Sequence, residues 1–524
     1  MRRAARQLWQ SESGSVAPLI AISLFALMGA AGIGFDYTRM AAMHTELQDA
    51  ADHAALAAAA QLDGKTNAQT RATTAAQSLI SNLALFSNDS SDTNGRSVTM
   101  NLANAIQFYQ DKAKTTLATS DANANFVLVT VDSKKAFYAL TPVVAAFNSG
   151  AIAAKAFAGV ASGICKVPPV MICNPSESAT NTDYLADFSV AAGTGIKLVT
   201  GNATAPGNFG WLDTNFGNGA SALAESLGYN IPPGDCSPVT GVTTKPGMST
   251  SVLSALNTRF DVFANGNSTC PSQGGGTCSP SANTRKDLVC NSNNGTSCSN
   301  DTWSESPNPY RPTTVGNLPS DGSGDPDMMG YPRDECHAVP AGTTGACGIT
   351  GNGTWDRDAY FRVNYGYSTT NPWTSGTGLP STVTRYAVYQ WEMTHQSVVV
   401  GGSAHGIGVA QVLTGKNTGF GVPATGRPGL TPGASTPDRR RMSVAVLNCN
   451  ALSVNGKTTQ IPVAKWLDVF LVEPSFSRSG GSGKKTTYTD QKEVYVEVIG
   501  TTTSGSAGGA AGQVVRKDVP YLIE

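Results

Sequence analysis

SGSVAPLIAISLFALMGAAGIGF, Ser13–Phe35, is a run of twenty-three residues without a charge, and the layout of the whole chain depends on how it is read. A helix of about 17–25 apolar residues crosses the ~30 Å hydrocarbon core of a bilayer. Arg2, Arg3 and Arg6 stand before the run, with one acid, Glu12. A basic flank of this kind stays on the cytoplasmic side. The expectation is a single transmembrane pass, Ser15 to Phe35, with everything from Asp36 to Glu524 on the far side. The lipid bilayer is then the first partner, contacted through residues 13–35.

A cleaved signal sequence has the same order of basic, apolar and small residues, with Gly29-Ala30-Ala31 as its cleavage region. Three features favour a retained anchor. The uncharged run exceeds the usual apolar region of a signal sequence. No turn follows it, since Asp36-Tyr37-Thr38-Arg39 leads directly into helix-forming sequence. Ten alanines between Ala41 and Ala60, with Leu47, Leu56 and Leu62, continue one helix. That helix is expected from about Ser15 to Leu62, and Gly64 supplies its stop. Pro18 sits near the start, where a missing N–H costs little. Gly29, Gly32 and Gly34 thin the outer end, which suits close packing of another helix. Glycine is also common in membrane helices, so both readings stand.

Charged residues make up only 14% of the chain and net charge is −1, so nothing points to a nucleic-acid partner. Abundant Gly, Ser, Thr and Asn instead fit an exported, loop-rich and β-rich protein. The ten cysteines, an even number, all lie beyond the apolar run, from Cys165 to Cys449. An oxidising compartment makes disulfides their expected state. Cys165/Cys173 and Cys336/Cys347 each bracket a short turn-rich segment and are the expected pairs. The partners of Cys236, Cys270, Cys278, Cys290, Cys298 and Cys449 are left open. Zinc sites favour two to four intervening residues and added histidine, and only His337 adjoins a cysteine.

Beyond Gly64, Thr66–Phe86 reads as an amphipathic helix, and Asn88–Gly95 as a loop. Strand signals follow at Ser97–Phe108, Asn125–Asp132 and Ala151–Val160, with Lys135–Phe147 read as helical. A long helix followed by a small antiparallel sheet is a pilin-like arrangement. Phe126, Leu128 and Val160 are expected to be covered by the alanine face of the long helix. Later, helices are expected at Ala220–Leu227 and Val252–Phe263, and strands at Ile196–Val199, Met442–Leu447, Ala464–Val472 and Glu493–Gly500. The fold class is therefore α+β. Residues 1–64 form an anchor and helical stalk, and 65–163 a small α+β domain. Residues 164–524 form a larger mixed α/β, loop-rich and β-rich region, with a low-complexity, Cys-rich surface insertion at 265–301.

Signals for catalysis are weak. Arg478-Ser479-Gly480-Gly481-Ser482-Gly483-Lys484-Lys485-Thr486 approaches a phosphate loop, but Arg478 stands where the first Gly belongs and Lys485 where Ser or Thr belongs. Asp89-Ser90-Ser91-Asp92-Thr93 approaches a metal-ion adhesion motif without the preceding buried strand such a site needs. Asp321, Asp325 and Asp327 offer oxygen ligands for Ca²⁺ without EF-hand spacing. His44, His53, His337, His395 and His405 show no metal spacing, and Ser403 beside His405 shows no nucleophile motif. The chain reads as a non-enzyme with no cofactor and no assigned metal or catalytic residue.

Glu12-Ser13-Gly14-Ser15-Val16-Ala17-Pro18, the apolar span, Gly34-Phe35-Asp36-Tyr37-Thr38-Arg39 and Leu47-Gln48-Asp49-Ala50-Ala51-Asp52-His53-Ala54-Ala55-Leu56-Ala57 resemble one family. This is the TadG-like N-terminal module of the tight-adherence (Flp-type) pilus assembly system. His53 departs from it, standing where the family often has Ala. Cys165–Pro175, Pro206–Leu212, Gly353–Phe361 and Val469–Pro474 resemble stretches of its longer members. The resemblance implies an inner (cytoplasmic) membrane, periplasm-facing scaffold or accessory factor of pilus assembly, with other assembly proteins as partners and self-association open. A second reading is a minor pseudopilin processed at Gly14. Pilins carry Glu five residues after the cleavage glycine, but here that residue is Leu19, which disfavours filament incorporation. A periplasmic metal-dependent adhesin or hydrolase is the third.

Overall fold

The computed structural model describes residues 16–523, leaving out chiefly 81–96, 291–302, 410–437 and 503–514 with shorter stretches elsewhere. Arg2, Arg3, Arg6, Glu12, Ser15 and Asp89–Thr93 lie outside the described residues, as do Cys236 and Cys298. The chain forms two compact units, Met1–Ala161 with Asp518–Glu524, and Ser162–Lys517.

The first unit is built on α1, Val16–Ala59, a single helix of 44 residues. At ~1.5 Å per residue it is roughly 66 Å long, as the alanine content and the unbroken apolar run led us to expect. The second helix, α2 (Ala68–Leu79), lies within the expected Thr66–Phe86, of which 81–86 are outside the described residues, and lays Ala72 and Ala76 into the same core. Its first turn is tied down by Asp121, whose carboxylate accepts from the backbone N–H of Asn67 (2.8 Å) and Gln69 (3.0 Å). Strands β1 (Ile106–Tyr109), β2 (Phe126–Thr130) and β3 (Lys155–Cys165) pair antiparallel in that order. The terminal strand Val515–Leu522 joins the sheet beside β3. The last residues of the chain thus complete the first unit, and the second ends before them.

The alanine face of α1 packs on this sheet, with one change in which residues it covers. Ala50, Ala51, Ala54, Ala55, Ala58 and Ala59 meet Val127, Val129, Ala156 and Ala158. Phe126 and Leu128 are only half-buried, because successive strand residues point to opposite faces. Phe126 instead stacks on Phe157, 5.7 Å between centroids, with Tyr109 edge-on to the same ring at 6.0 Å. A small-residue helix approaches closely, so the sheet presents its small side to it.

Lys135–Phe147 is not the helix expected. Lys134 bridges Ile152, Phe137 bridges Asn148, and among the described residues the one helical piece is a 3₁₀ turn, Thr141–Val144. Pro142 has no N–H to give a helix, and the amides just before it are taken by a carboxylate of α1, described below.

The second unit is organised by a seven-stranded mixed sheet. Its strands are β4 (Val170–Cys173), β5 (Gly195–Val199), β6 (Phe209–Leu212), β7 (Thr244–Lys245), β8 (Arg441–Leu447), β9 (Lys465–Leu471) and β10 (Glu493–Thr501). Their order is β5-β10-β9-β8-β4-β6-β7. Only β8 and β4 run parallel, with Ala445 opposite Met171; the other neighbours are antiparallel. All seven residues of β8 are buried, as befits a central strand covered on both faces. One face carries Ile172, Ile196, Trp211, Val444, Val469 and Val496 against Leu223 and Leu227 of the helix Ala220–Gly228. The other carries Phe470, Val472 and Tyr495 against the helices Arg357–Tyr365 and Arg385–Thr394. Helix Arg357–Tyr365 is N-capped by Asp356, which accepts from Ala359 N–H at 3.0 Å.

The cysteine pairing departs from expectation at one position. Cys173 ends β4, Cys449 lies just past β8, and the parallel pairing of those strands brings them together at 5.3 Å between Cα atoms. The Cys165–Cys173 bridge is therefore not made. Cys336 is bonded to Cys347 and Cys270 to Cys278, and among the described residues no cysteine is free. Nor is the Cys-rich stretch a surface insertion throughout: Ser281, Asn283, Thr284, Arg285 and Lys286 run through the interior of the unit.

Candidate functional site

Two places concentrate charge in a way the composition does not explain, one in each unit. In the first unit the apolar part of α1 leaves Leu19, Ile22, Phe25 and Leu27 exposed, and it is long and apolar enough to cross a membrane. One residue past this run stands Asp36, only 2% exposed. Its carboxylate accepts from the backbone N–H of Ala139 (2.8 Å), Leu140 (2.9 Å) and Thr141 (2.8 Å) and from the Thr141 hydroxyl (2.5 Å). Burial pushes this carboxyl up, and the Thr141 hydroxyl and the three amides outweigh it, holding it at about 2. The charge is thus kept and fully partnered. One turn earlier, Gly32 admits the same loop: a Cβ there would lie 3.0 Å from the Cβ of Leu140. Gly32 is small because its own chain packs on it. Gly34 faces open space.

Among the described residues of the second unit five arginines are fully buried, Arg259, Arg285, Arg385, Arg439 and Arg440. Arg385 is paired with Asp334 (2.5 Å) and Glu497 (2.9 Å). Glu392 accepts from Tyr331 (2.5 Å), Tyr360 (2.6 Å), Tyr365 (2.8 Å) and Asn283 (2.6 Å), with Arg285 at 3.3 Å. Arg259 and Arg439 donate to the carbonyls of Leu227 (2.8 Å), Gly228 (2.5 Å) and Tyr229 (2.8 Å), where the helix Ala220–Gly228 ends. Cations placed there satisfy the orphan carbonyls and the negative end of the helix dipole. Arg440 donates to Leu471 (3.0 Å) and Val472 (2.7 Å) carbonyls and lies over the rings of Phe260 and Phe470. These groups are tied chiefly to backbone and to one another, which is the pattern of a structural network, although Nε of Arg259 and Nη2 of Arg285 make no hydrogen bond.

The sequence-level candidates for chemistry fall into structural roles. Arg478–Gly480 and Thr486–Thr489 form a hairpin, and Arg478 holds Asp287 through two bonds of 2.6 and 2.8 Å; 481–485 lie outside the described residues. The described residues that follow, Thr486–Thr489, are a strand where a phosphate loop needs a helix. Asp325 is held bidentately by Arg362 at 2.6 and 2.7 Å, Asp321 closes a turn on Ser323, and Asp327 accepts from Asn308. His337 is buried, with Nε2 on the Gly348 carbonyl (2.9 Å) and Nδ1 on the Tyr495 hydroxyl (3.0 Å). Burial pushes it down to about 4, so it is neutral. Ser403 and His405 lie on a short hairpin strand opposite Val400 and Val398. A cleft of about 290 Å³ beside Asp358, Tyr367 and Trp373 has its carboxylate bonded to the Trp373 indole at 2.6 Å. Among the described residues no three acidic, cysteine or histidine side chains converge on a metal position.

Sequence reasoning passed over Asp36 as the lead into a helix, although a lone acid directly after an apolar run was the available signal. It also gave no role to Arg439 and Arg440, which are fully buried. The stretches that resemble longer family members become β4, β6, the cap at Asp356 and β9, all parts of the scaffold.

No curated protein and no solved structure matches the chain. A family model described as "Putative Flp pilus-assembly TadE/G-like" matches residues 14–61. The match covers α1 from before its first turn to the bend after it, Asp36 included. The chain therefore carries a TadE/G-like Flp pilus-assembly domain in residues 14–61.

Proposed function

We propose that the protein is a non-enzymatic component of a Flp-type pilus assembly system, held in the inner membrane by α1 and acting there as a scaffold or accessory assembly factor. The observation that carries this reading is the continuity of α1. Its first half exposes apolar side chains, and its second half is the core of a folded unit. The family match covers both halves. On this reading the N-terminus is cytoplasmic and the bulk of the chain periplasmic, where its disulfides are stable. Partners are other pilus-assembly proteins.

Reporter fusions after residue 64 test the topology: activity is expected from periplasmic reporters alone, and cytoplasmic activity ends the model. Crosslinking in the native membrane, followed by mass spectrometry, tests the partnership. Recovery of no pilus component would remove the assembly role. The pseudopilin reading shares the exposed apolar half-helix, which in a filament would face other subunits. Intact mass of the native protein separates the two, since processing at Gly14 removes the residues before it.

A further inference from the structure

We propose that the loop Tyr138–Leu140 rests in the outer interface of the bilayer, seating the first folded unit flush on the membrane. This rests on the membrane-anchor reading above and goes beyond it, because an anchored domain is otherwise free to stand off on its stalk. Position comes first. The expected span, Ser15–Phe35, is about 30 Å of helix at ~1.5 Å per residue, the thickness of the hydrocarbon core. Asp36 therefore stands at the outer edge, and Gly32 about one turn inside it. Leu140 is packed on Gly32, with a hypothetical Gly32 Cβ only 3.0 Å from the Leu140 Cβ. The loop thus reaches below the level of Asp36.

Exposure points the same way. Leu140 is 48% exposed although it lies against Gly32, and Ile33, Phe35 and Tyr37, on the same turns of α1 as Gly32 and Asp36, are exposed too. An apolar surface therefore continues from the span onto the loop. Tyrosine is a common anchor at this depth, and Tyr37 and Tyr138 supply it.

The polar groups supply an independent argument. Backbone N–H groups at the edge of hydrocarbon must find partners within the protein. The amides of Ala139, Leu140 and Thr141 find theirs in Asp36. A carboxylate at that depth is equally costly when unpartnered, and Asp36 is partnered four times over. Each side removes the polar cost of the other, which lets this loop lie against lipid.

The test uses nitroxide labels on single introduced cysteines in the full chain, kept non-reduced and reconstituted in vesicles of phosphatidylethanolamine and phosphatidylglycerol. Collision with oxygen reports lipid, and collision with a water-soluble nickel chelate reports water. Leu140→Cys is expected to give an oxygen-to-nickel ratio near that of Ile33→Cys. It should lie several-fold above that of Leu117→Cys. Leu117 is 55% exposed and sits four residues before Asp121, which binds the start of α2 at the far end of α1. Ile22→Cys reports the anchor itself. A water-like ratio at 140 with a lipid-like ratio at 22 overturns the seated loop and leaves the anchor standing. A water-like ratio at 22 overturns the anchor, and the seated loop with it.

Discussion

The two units solve the same problem with opposite materials. The first fills its core with alanine and valine, six alanines of α1 lying against Val127, Val129, Ala156 and Ala158. The second packs mainly aliphatic side chains on one face of its sheet and aromatic rings on the other, with buried arginines among them. An alanine core gains stability from closeness: each side chain buries little area, so helix and sheet must approach until no larger residue fits. An aromatic and arginine core gains it from completeness, since each buried charge is tolerable only while every partner is present. The first is vulnerable to added volume and the second to removed partners.

The largest expected effect follows from removed partners. Glu392→Ala leaves Arg285 buried without its carboxylate and three tyrosine hydroxyls without their acceptor. A loss of roughly 3–5 kcal/mol is expected, read by denaturant unfolding, with the protease resistance of the first unit unchanged. Equal loss in both units would break the comparison.

Acid separates the units next. His337 is neutral and buried with a folded-state value of about 4, below its unfolded value of 6.5. The unfolded chain binds the extra proton, so stability is full above the unfolded value and falls as pH drops from about 6.5 to about 4. The loss reaches roughly 3 kcal/mol in the second unit. Asp36 has its value lowered from 3.8 to about 2, so its contribution is present above 3.8 and is lost only between about pH 4 and 2. Thermal unfolding followed against pH is expected to weaken the second unit first. His337→Gln should flatten the window between 6.5 and 4; an unchanged profile removes His337 from the account.

Asp36→Ala leaves three amides and a hydroxyl without their acceptor and is expected to cost about 2–3 kcal/mol. Hydrogen exchange at Ala139–Thr141 should rise while exchange in β2 and β3 does not. The smallest effect sharpens the contrast in packing. Ala54→Leu or Ala58→Leu adds volume where none is free and should destabilise the first unit by about 1–3 kcal/mol without loosening the membrane anchor. Unaltered protease resistance in both variants would mean that helix and sheet are not close-packed.

Much of the first unit was legible. The unbroken α1, the helix after it, the strand at Phe126–Thr130 and the docking of the alanine face on the chain's own sheet all follow from periodicity and propensity, which act within a few residues. The side of β2 that meets the helix was misjudged, because large apolar residues attract attention and a close-packed helix selects small ones. In the second unit β5, β8, β9 and β10 stood near their expected places. The partner of Cys173 did not, since the nearest cysteine in sequence, Cys165, was preferred to one 276 residues away.

By itself the sequence determined what local chemistry determines: an apolar helix that ends in an acid, an alanine stalk, β-branched strands, and a family pattern over residues 14–61. Only the tertiary structure decided the rest. It set which amides Asp36 receives and which strand lies beside β4, and so which cysteine meets Cys173. It also decided that Arg439 and Arg440 lie inside and that the terminal strand returns to the first sheet. The physical reason is range. Propensity and periodicity act over one or two turns, whereas a buried charge or a disulfide depends on groups brought together by sheet order across hundreds of residues. Single-residue patterns carry no record of that order.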